Sequence, residues 1–229
     1  MQTLAVIPAR GGSKGIPRKN LIDVGGKPLI VWTIEQALAV PGVRVAVSTE
    51  DVEIAAVSEA AGAWVIERPA SLAQDETPTE PVVRHAIDVC SARFARPDQV
   101  MLLQATSPVR LAGTLERSLT QFMEQGPDSL VGVVPCPPFL WGLDGDSAVP
   151  YWDWQHRRRR QDMTPDQLRY RETGSLYVTR TEVYTDTDNR IGGKIGLFVM
   201  DEIEGVDIDT LHDLASAEAA LRRLADEAV

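Results

Sequence analysis

The 229-residue sequence is poor in cysteine and histidine and has fewer bases than acids, 23 Lys and Arg against 33 Asp and Glu. Cys90 and Cys136 are the only cysteines. They are too few and too far apart for a metal ribbon or a disulfide framework, and a reducing compartment is expected. None of the three histidines stands in a motif, so no histidine general base is expected. The net charge of −10 leaves no broad basic face, which excludes nucleic acid as a general partner. No apolar run is long enough to span a bilayer. The first residues also lack the charged lead, apolar stretch and cleavage site of a secretory signal, so the expected location is the cytoplasm, with no membrane partner. With 44% hydrophobic and 24% charged residues, the composition is that of one globular domain over 1–229, long enough to bury a full core.

What is present begins at once. Thr3 to Ala9 is a short apolar run bounded by Pro8 and glycines, the pattern of a buried strand. It leads into Arg10-Gly11-Gly12-Ser13-Lys14-Gly15-Ile16-Pro17-Arg18-Lys19-Asn20. The glycines let backbone approach a ligand closely, and successive N–H groups in such a turn form an anion nest. Arg10, Lys14, Arg18 and Lys19 add cations, so the loop suits a polyphosphate. It is not a Walker loop, because Lys14 is followed by Gly15 and Lys19 by Asn20. Nor is it the dinucleotide fingerprint, because Gly11 and Gly12 are adjacent.

Downstream, the spacing predicts a helix over Leu29–Leu38 opened by Pro28, a strand over 44–49, and a helix over 51–61 with Thr49 as its cap. A strand at 63–66, a loop punctuated by Pro69, Pro78 and Pro81, a helix through Val82–Cys90 and a strand at 99–103 follow. Alternation of this kind implies a mainly parallel sheet flanked by helices, with ligands beyond the carboxyl ends of its strands. Thr106 and Ser107 are expected to cap a helix beginning near Leu111. The pattern breaks after the strand at 129–134. Residues 136–172 carry prolines, Trp141, Trp152, Trp154 and the run Arg157-Arg158-Arg159-Arg160, expected mainly as a solvated face. Gly192-Gly193 is expected to turn a hairpin. Near the carboxyl end, Asp207 and Asp209 are two apart on an extended segment. They share a side there, a donor set suited to Mg²⁺ with phosphate oxygens. Asp213 with Thr210 reads as a cap, and the final helix, 211–225, packs through Leu211, Leu214, Ala217, Leu221 and Leu224.

The run from Ile7 to Asn20 resembles the signature of the acylneuraminate cytidylyltransferases, or CMP-sialic acid synthetases, of the nucleotide-sugar transferase superfamily. The resemblance implies a Rossmann-like α/β fold and transfer from CTP to a sugar acid, with Mg²⁺ as cofactor. By motif, Arg10 and Lys19 would be catalytic. Ala9, Arg10, Gly11, Gly12, Ser13, Lys14, Lys19 and Asn20 would hold the nucleotide. Arg68 and Thr79, in a stretch similar to the family's Arg-Pro … Leu-Ala-x-Asp, would approach the base or ribose. Gln104, opening Gln104-Ala105-Thr106-Ser107-Pro108-Val109-Arg110, and Tyr177, in Thr173-Gly174-Ser175-Leu176-Tyr177, would meet the acceptor. Asp207 and Asp209 would hold the metal, and 136–172 would be an arm exchanged in a homodimer. Ala105 stands where the family has Pro, Thr173 where it has Asn and Ser175 where it has Ala. Residues 138–142 lack a lysine found in relatives. The acceptor thus stays open among N-acetylneuraminic, legionaminic, pseudaminic and 3-deoxy-manno-octulosonic acids. Another nucleotide, or a non-catalytic nucleotide sensor, is the alternative.

Overall fold

The computed structural model describes residues 1–12 and 15–227, except for the side chains of Arg160, Asp166 and Glu227. Strand β1 (Thr3–Pro8) is apolar at nearly every position because both of its faces are covered, as a central parallel strand requires. The two-residue strands β2 (Asp23–Val24) and β3 (Lys27–Pro28) follow, then α1 (Leu29–Leu38), β4 (Val43–Thr49), α2 (Val52–Ala60) and β5 (Trp64–Glu67). Next come α3 (Thr79–Arg93), β6 (Gln99–Leu103), α4 (Thr114–Gln125) and β7 (Ser129–Cys136). A small hairpin of β8 (Trp141–Asp144) and β9 (Ser147–Pro150) precedes β10 (Arg169–Arg180), α5 (Thr181–Thr187), β11 (Ile195–Val199) and α6 (Leu211–Glu227).

Seven strands form one sheet in the order β11-β7-β10-β6-β1-β4-β5. All neighbours are parallel except β10, which runs antiparallel to both β6 and β7. On one face Ile7, Val47, Met101 and Val178 pack against Ile34 of α1 and Phe122 of α4. On the other, Val6, Leu102 and Tyr177 pack against Val83 and Ile87 of α3. Helix α6 closes a third cluster, with Ala217 and Leu221 against Leu29, Val109 and Ile208. That last contact brings the carboxyl-terminal segment back to the first loop. Among the described residues, no helix is long and apolar enough to cross a membrane.

Several local expectations change. Helix α2 is capped by Asp51, whose Oδ1 accepts from the N–H groups of Glu53 and Ile54 at 3.0 Å each, while Thr49 Oγ1 accepts only from Asp51 N. A carboxylate one step nearer the helix displaces the hydroxyl from that role. Helix α4 starts at Thr114 with Gly113 at the cap position, so Ser107 and Thr106 lie six and seven residues too early to cap it. Gly192-Gly193 does not turn a hairpin: the segment leaves α5 and enters β11, which joins β7 in parallel. Leu211 is exposed, because the buried face of α6 is carried by Ala217, Ala220 and Leu221. The Thr210–Asp213 cap is present, with Thr210 N donating to Asp213 Oδ2 at 2.8 Å.

Candidate active site

The carboxyl ends of β1, β5 and β6 open on a cavity of about 310 Å³. Seven of the residues singled out in the sequence line it. Arg10, Gly12, Lys19 and Asn20 come from the first loop, and Arg68, Thr79 and Gln104 come from the ends of β5, α3 and β6. Asn20 is buried and donates through Nδ2 to the carbonyl of Arg10 at 3.1 Å, which folds the loop back on its entry. Arg10 reaches across the mouth, its Nη1 2.9 Å from Asp75 Oδ1 and 3.1 Å from the carbonyl of Gln74. Thr79 is the first helical residue of α3, after Pro78, with no side-chain cap bond; its side chain borders the cavity instead.

Arg68 is almost fully buried, with Nε 3.2 Å from Ser48 Oγ and Nη2 donating to the carbonyl of Ser48. Burial lowers its pKa, nearby Glu50 opposes that fall and nearby Arg10 adds to it. A guanidinium with little water around it is a strong donor to whatever enters the cavity beside it.

The tail meets the first loop at Lys19. Its Nζ donates to the carbonyl of Ile208 at 2.6 Å and to Asp209 Oδ1 at 2.9 Å. Asp207 accepts from Ser107 Oγ at 3.3 Å, which is where the serine first read as a cap is engaged. Ile208, fully buried, anchors the segment, and its N–H donates to the carbonyl of Thr106. Asp209 is largely exposed, so its carboxylate is open to a further ligand. The donor set fits a hard cation that also takes oxygens from a bound phosphate. Among the described residues no group of three or more His, Cys, Asp or Glu is placed to hold a metal alone.

Other candidates sit elsewhere. Ala9 is buried in the core as the loop's root. Gly11 does not line the cavity and donates its N–H to Glu50 Oε1 at 2.8 Å. Arg18 turns away to Asp51 and Glu53. Tyr177 is buried against α3 and donates its hydroxyl to Glu172, and burial followed by that carboxylate raises its pKa. It does not line the cavity. Gly174 does approach it: at φ +73°, a Cβ there would stand 3.1 Å from Gln104 Oε1. Ser13 and Lys14 lie outside the described residues.

Sequence reasoning missed Glu50, Asp51, Asp75 and the structural role of Arg110. Arg110 is buried and donates to the carbonyls of Gln104 and Ser175 at 3.3 and 2.8 Å, fixing the strand end that presents Gln104. Burial pulls its pKa down to about 10, against the pull of Glu204 and Asp207. The signal for Glu50 and Asp51 was topological: in a parallel sheet, acids at the end of β4 must face the loop that ends β1.

In the arm, Arg157 stacks over Phe139 at 4.2 Å and Arg159 pairs with Asp162 at 2.6 Å. Two of the four arginines therefore have local partners, and the side chain of Arg160 lies outside the description.

Residues 4–134, more than half of the chain, match the family model described as cytidylyltransferase. A pseudaminic acid cytidylyltransferase of Campylobacter jejuni is 32% identical over 226 residues, covering 95% of each chain. N-acylneuraminate cytidylyltransferase A of Danio rerio is 34% identical over 225 residues, covering 96% of this chain and half of that one. A solved CMP:2-keto-3-deoxy-manno-octonic acid synthetase complexed with CTP superposes with a TM-score of 0.72 at 20% identity, over 97% and 99% of the two chains, a likeness of fold. By this family match and these relatives, the chain belongs to the cytidylyltransferase family that contains the acylneuraminate and pseudaminic acid enzymes, and it is a nucleotidyltransferase.

Proposed function

We propose that the chain transfers the cytidylyl group of CTP to the anomeric hydroxyl of a nonulosonic acid, releasing pyrophosphate. The observation that carries this reading is the contact of Lys19 with Asp209 beside a cavity bordered by Arg10, Arg68 and Thr79. It gathers a cationic loop, a buried guanidinium and an exposed carboxylate around a space of nucleotide size. In the transfer, the acceptor oxygen bonds to the α-phosphorus as the bridge to the β-phosphate breaks, and the hydroxyl proton passes to solvent. Such a step needs positioning and charge neutralisation more than covalent help.

Arg10 and Lys19 would meet the phosphates, with Gly12, Ser13 and Lys14 cradling the leaving pyrophosphate while the Gly11 N–H is held by Glu50. Asn20 would hold the loop through the Arg10 carbonyl. Arg68 and Thr79 would read the base or ribose. Gln104 would orient the acceptor. Asp207 and Asp209 would hold Mg²⁺, which neutralises triphosphate charge when bound. Residues 136–172 would dock a second copy: Trp141, Leu143 and Trp154 are exposed there, an apolar set suited to an interface.

Pseudaminic acid is the first acceptor to test, because the Campylobacter relative so named matches over nearly its whole length. The test is pyrophosphate release from each of the four nucleoside triphosphates with pseudaminic, legionaminic, N-acetylneuraminic and 3-deoxy-manno-octulosonic acids. Release only with CTP and a nonulosonic acid is expected. No release with any pair would overturn the reading.

A further inference from the structure

One carboxylate beside the phosphate loop has no part in the chemistry above. Glu50 follows β4 and is about three-quarters buried, an unexpected place for an anion in a site for polyphosphate. Its Oε1 accepts the Gly11 N–H at 2.8 Å. Its Oε2 is inaccessible to water and has no hydrogen-bond partner, and lies 3.9 Å from Arg68 Nη1. Burying a carboxylate oxygen without a hydrogen bond is costly unless a nearby cation compensates, and Arg68 is that cation.

The next residue fastens the other end of the same loop. Asp51 pairs with Arg18, and Arg18 adopts a left-handed conformation at φ 57°, which a non-glycine residue holds only when its surroundings impose it. A Cβ on Gly11 would collide with the Asp51 carboxylate, so backbone and acid are already in close contact. Gly11 and Arg18, near the two ends of the loop, are thus tied to consecutive acids at one strand end.

We propose that Glu50 is a positioning residue that locks the phosphate loop to Arg68, setting the phosphate and base ends of the cavity as one unit. This rests on the nucleotide reading of the cavity. The ordinary alternative is a carboxylate that only stabilises the fold.

The test measures binding of Mg·CTP, of cytidine and of inorganic tripolyphosphate to the full chain by calorimetry, in the wild type, Glu50→Gln and Glu50→Ala. Glu50→Gln keeps an acceptor for Gly11 N–H but removes the charge that faces Arg68. It should weaken cytidine by about tenfold while leaving tripolyphosphate near the wild-type value. Glu50→Ala should weaken both, and CTP by more than either part. Arg18→Gln, which opens the second fastening but leaves Asp51 in place to cap α2, should weaken tripolyphosphate alone. Wild-type binding of all three ligands by both Glu50 variants would overturn the proposal, as would losses that merely follow the folded fraction in a thermal melt. Tighter tripolyphosphate binding by Glu50→Ala would make Glu50 a competitor of phosphate and also overturn it. Failure of the wild type to bind CTP would instead sink the nucleotide reading itself.

Discussion

Lys19 Nζ lies 2.9 Å from Asp209 Oδ1, a contact between residues 190 apart in the chain. Lys19 is only 12% exposed but Asp209 is 74% exposed, so the carboxylate end of the pair stands in water, where an ion pair contributes about 0–1 kcal/mol. Charge-assisted bonds to phosphate are stronger. The ammonium is therefore free to exchange its carboxylate for a nucleotide, and the carboxylate to exchange its ammonium for a metal. Arg10 and Asp75 form a second pair at the mouth of the cavity, 2.9 Å apart and both partly exposed.

Replacing Lys19 by Ala should lower kcat/KM for CTP by about a hundredfold or more, as loss of a charge-stabilising group does. The melting temperature should stay within a few degrees, because the pair it breaks is weak. A variant turning over like the wild type would remove Lys19 from the chemistry.

Asp209→Asn keeps the shape and removes the charge. Titrating Mg²⁺ into enzyme with CTP, the variant should need about tenfold more metal to reach half of its bound signal. An unchanged Mg²⁺ titration would place the cation elsewhere.

Much of this site was legible in the residues because its parts are local. The buried run at Thr3–Pro8, the glycines after it and the cations around them sit within twenty residues, and each declares its geometry without reference to the rest of the chain. Asp207 and Asp209 stand out in the sequence for the same reason, and the structure gives them separate partners, Ser107 and Lys19. Contacts set by the sheet were not legible. Nothing near Glu50 in sequence says that Gly11 will donate to it, because that bond exists only once β1 and β4 pair in parallel register. Ser107 looked like a helix cap because its neighbours suit one, and only the return of the tail over β6 gives it Asp207 instead. Tyr177 was read as facing an acceptor. On β10 its side chain packs under α3, on a face decided by antiparallel register with β6.

Gly174 offers a test of the acceptor end. Alanine there must adopt φ +73° and press on Gln104. Gly174→Ala should raise KM for the sugar acid several-fold while leaving KM for CTP within twofold. Equal effects on both substrates would show that Gln104 does not serve the acceptor alone.

Acid stability should report the Asp51 clasp. The Arg18 guanidinium, followed by backbone N–H groups of α2, holds the Asp51 carboxyl below its ordinary value. As pH falls below about 3.9, the unfolded chain takes up a proton that the folded chain resists, so the clasp's contribution is present above that pH and lost beneath it. In urea titrations, Asp51→Asn should be less stable at pH 7 and show a flatter decline between about pH 4 and pH 2. An acid limb identical to that of the wild type would show that Asp51 titrates alike in both states.

The central claim is that the two ends of the chain meet on one nucleotide. It is tested most directly by a double-mutant cycle on kcat/KM for CTP at saturating acceptor and Mg²⁺, using Lys19→Ala, Asp209→Ala and the pair. Groups acting on one ligand are non-additive, so the double variant should lose little more than the worse single variant. Losses that multiply, as for independent sites, would contradict the account.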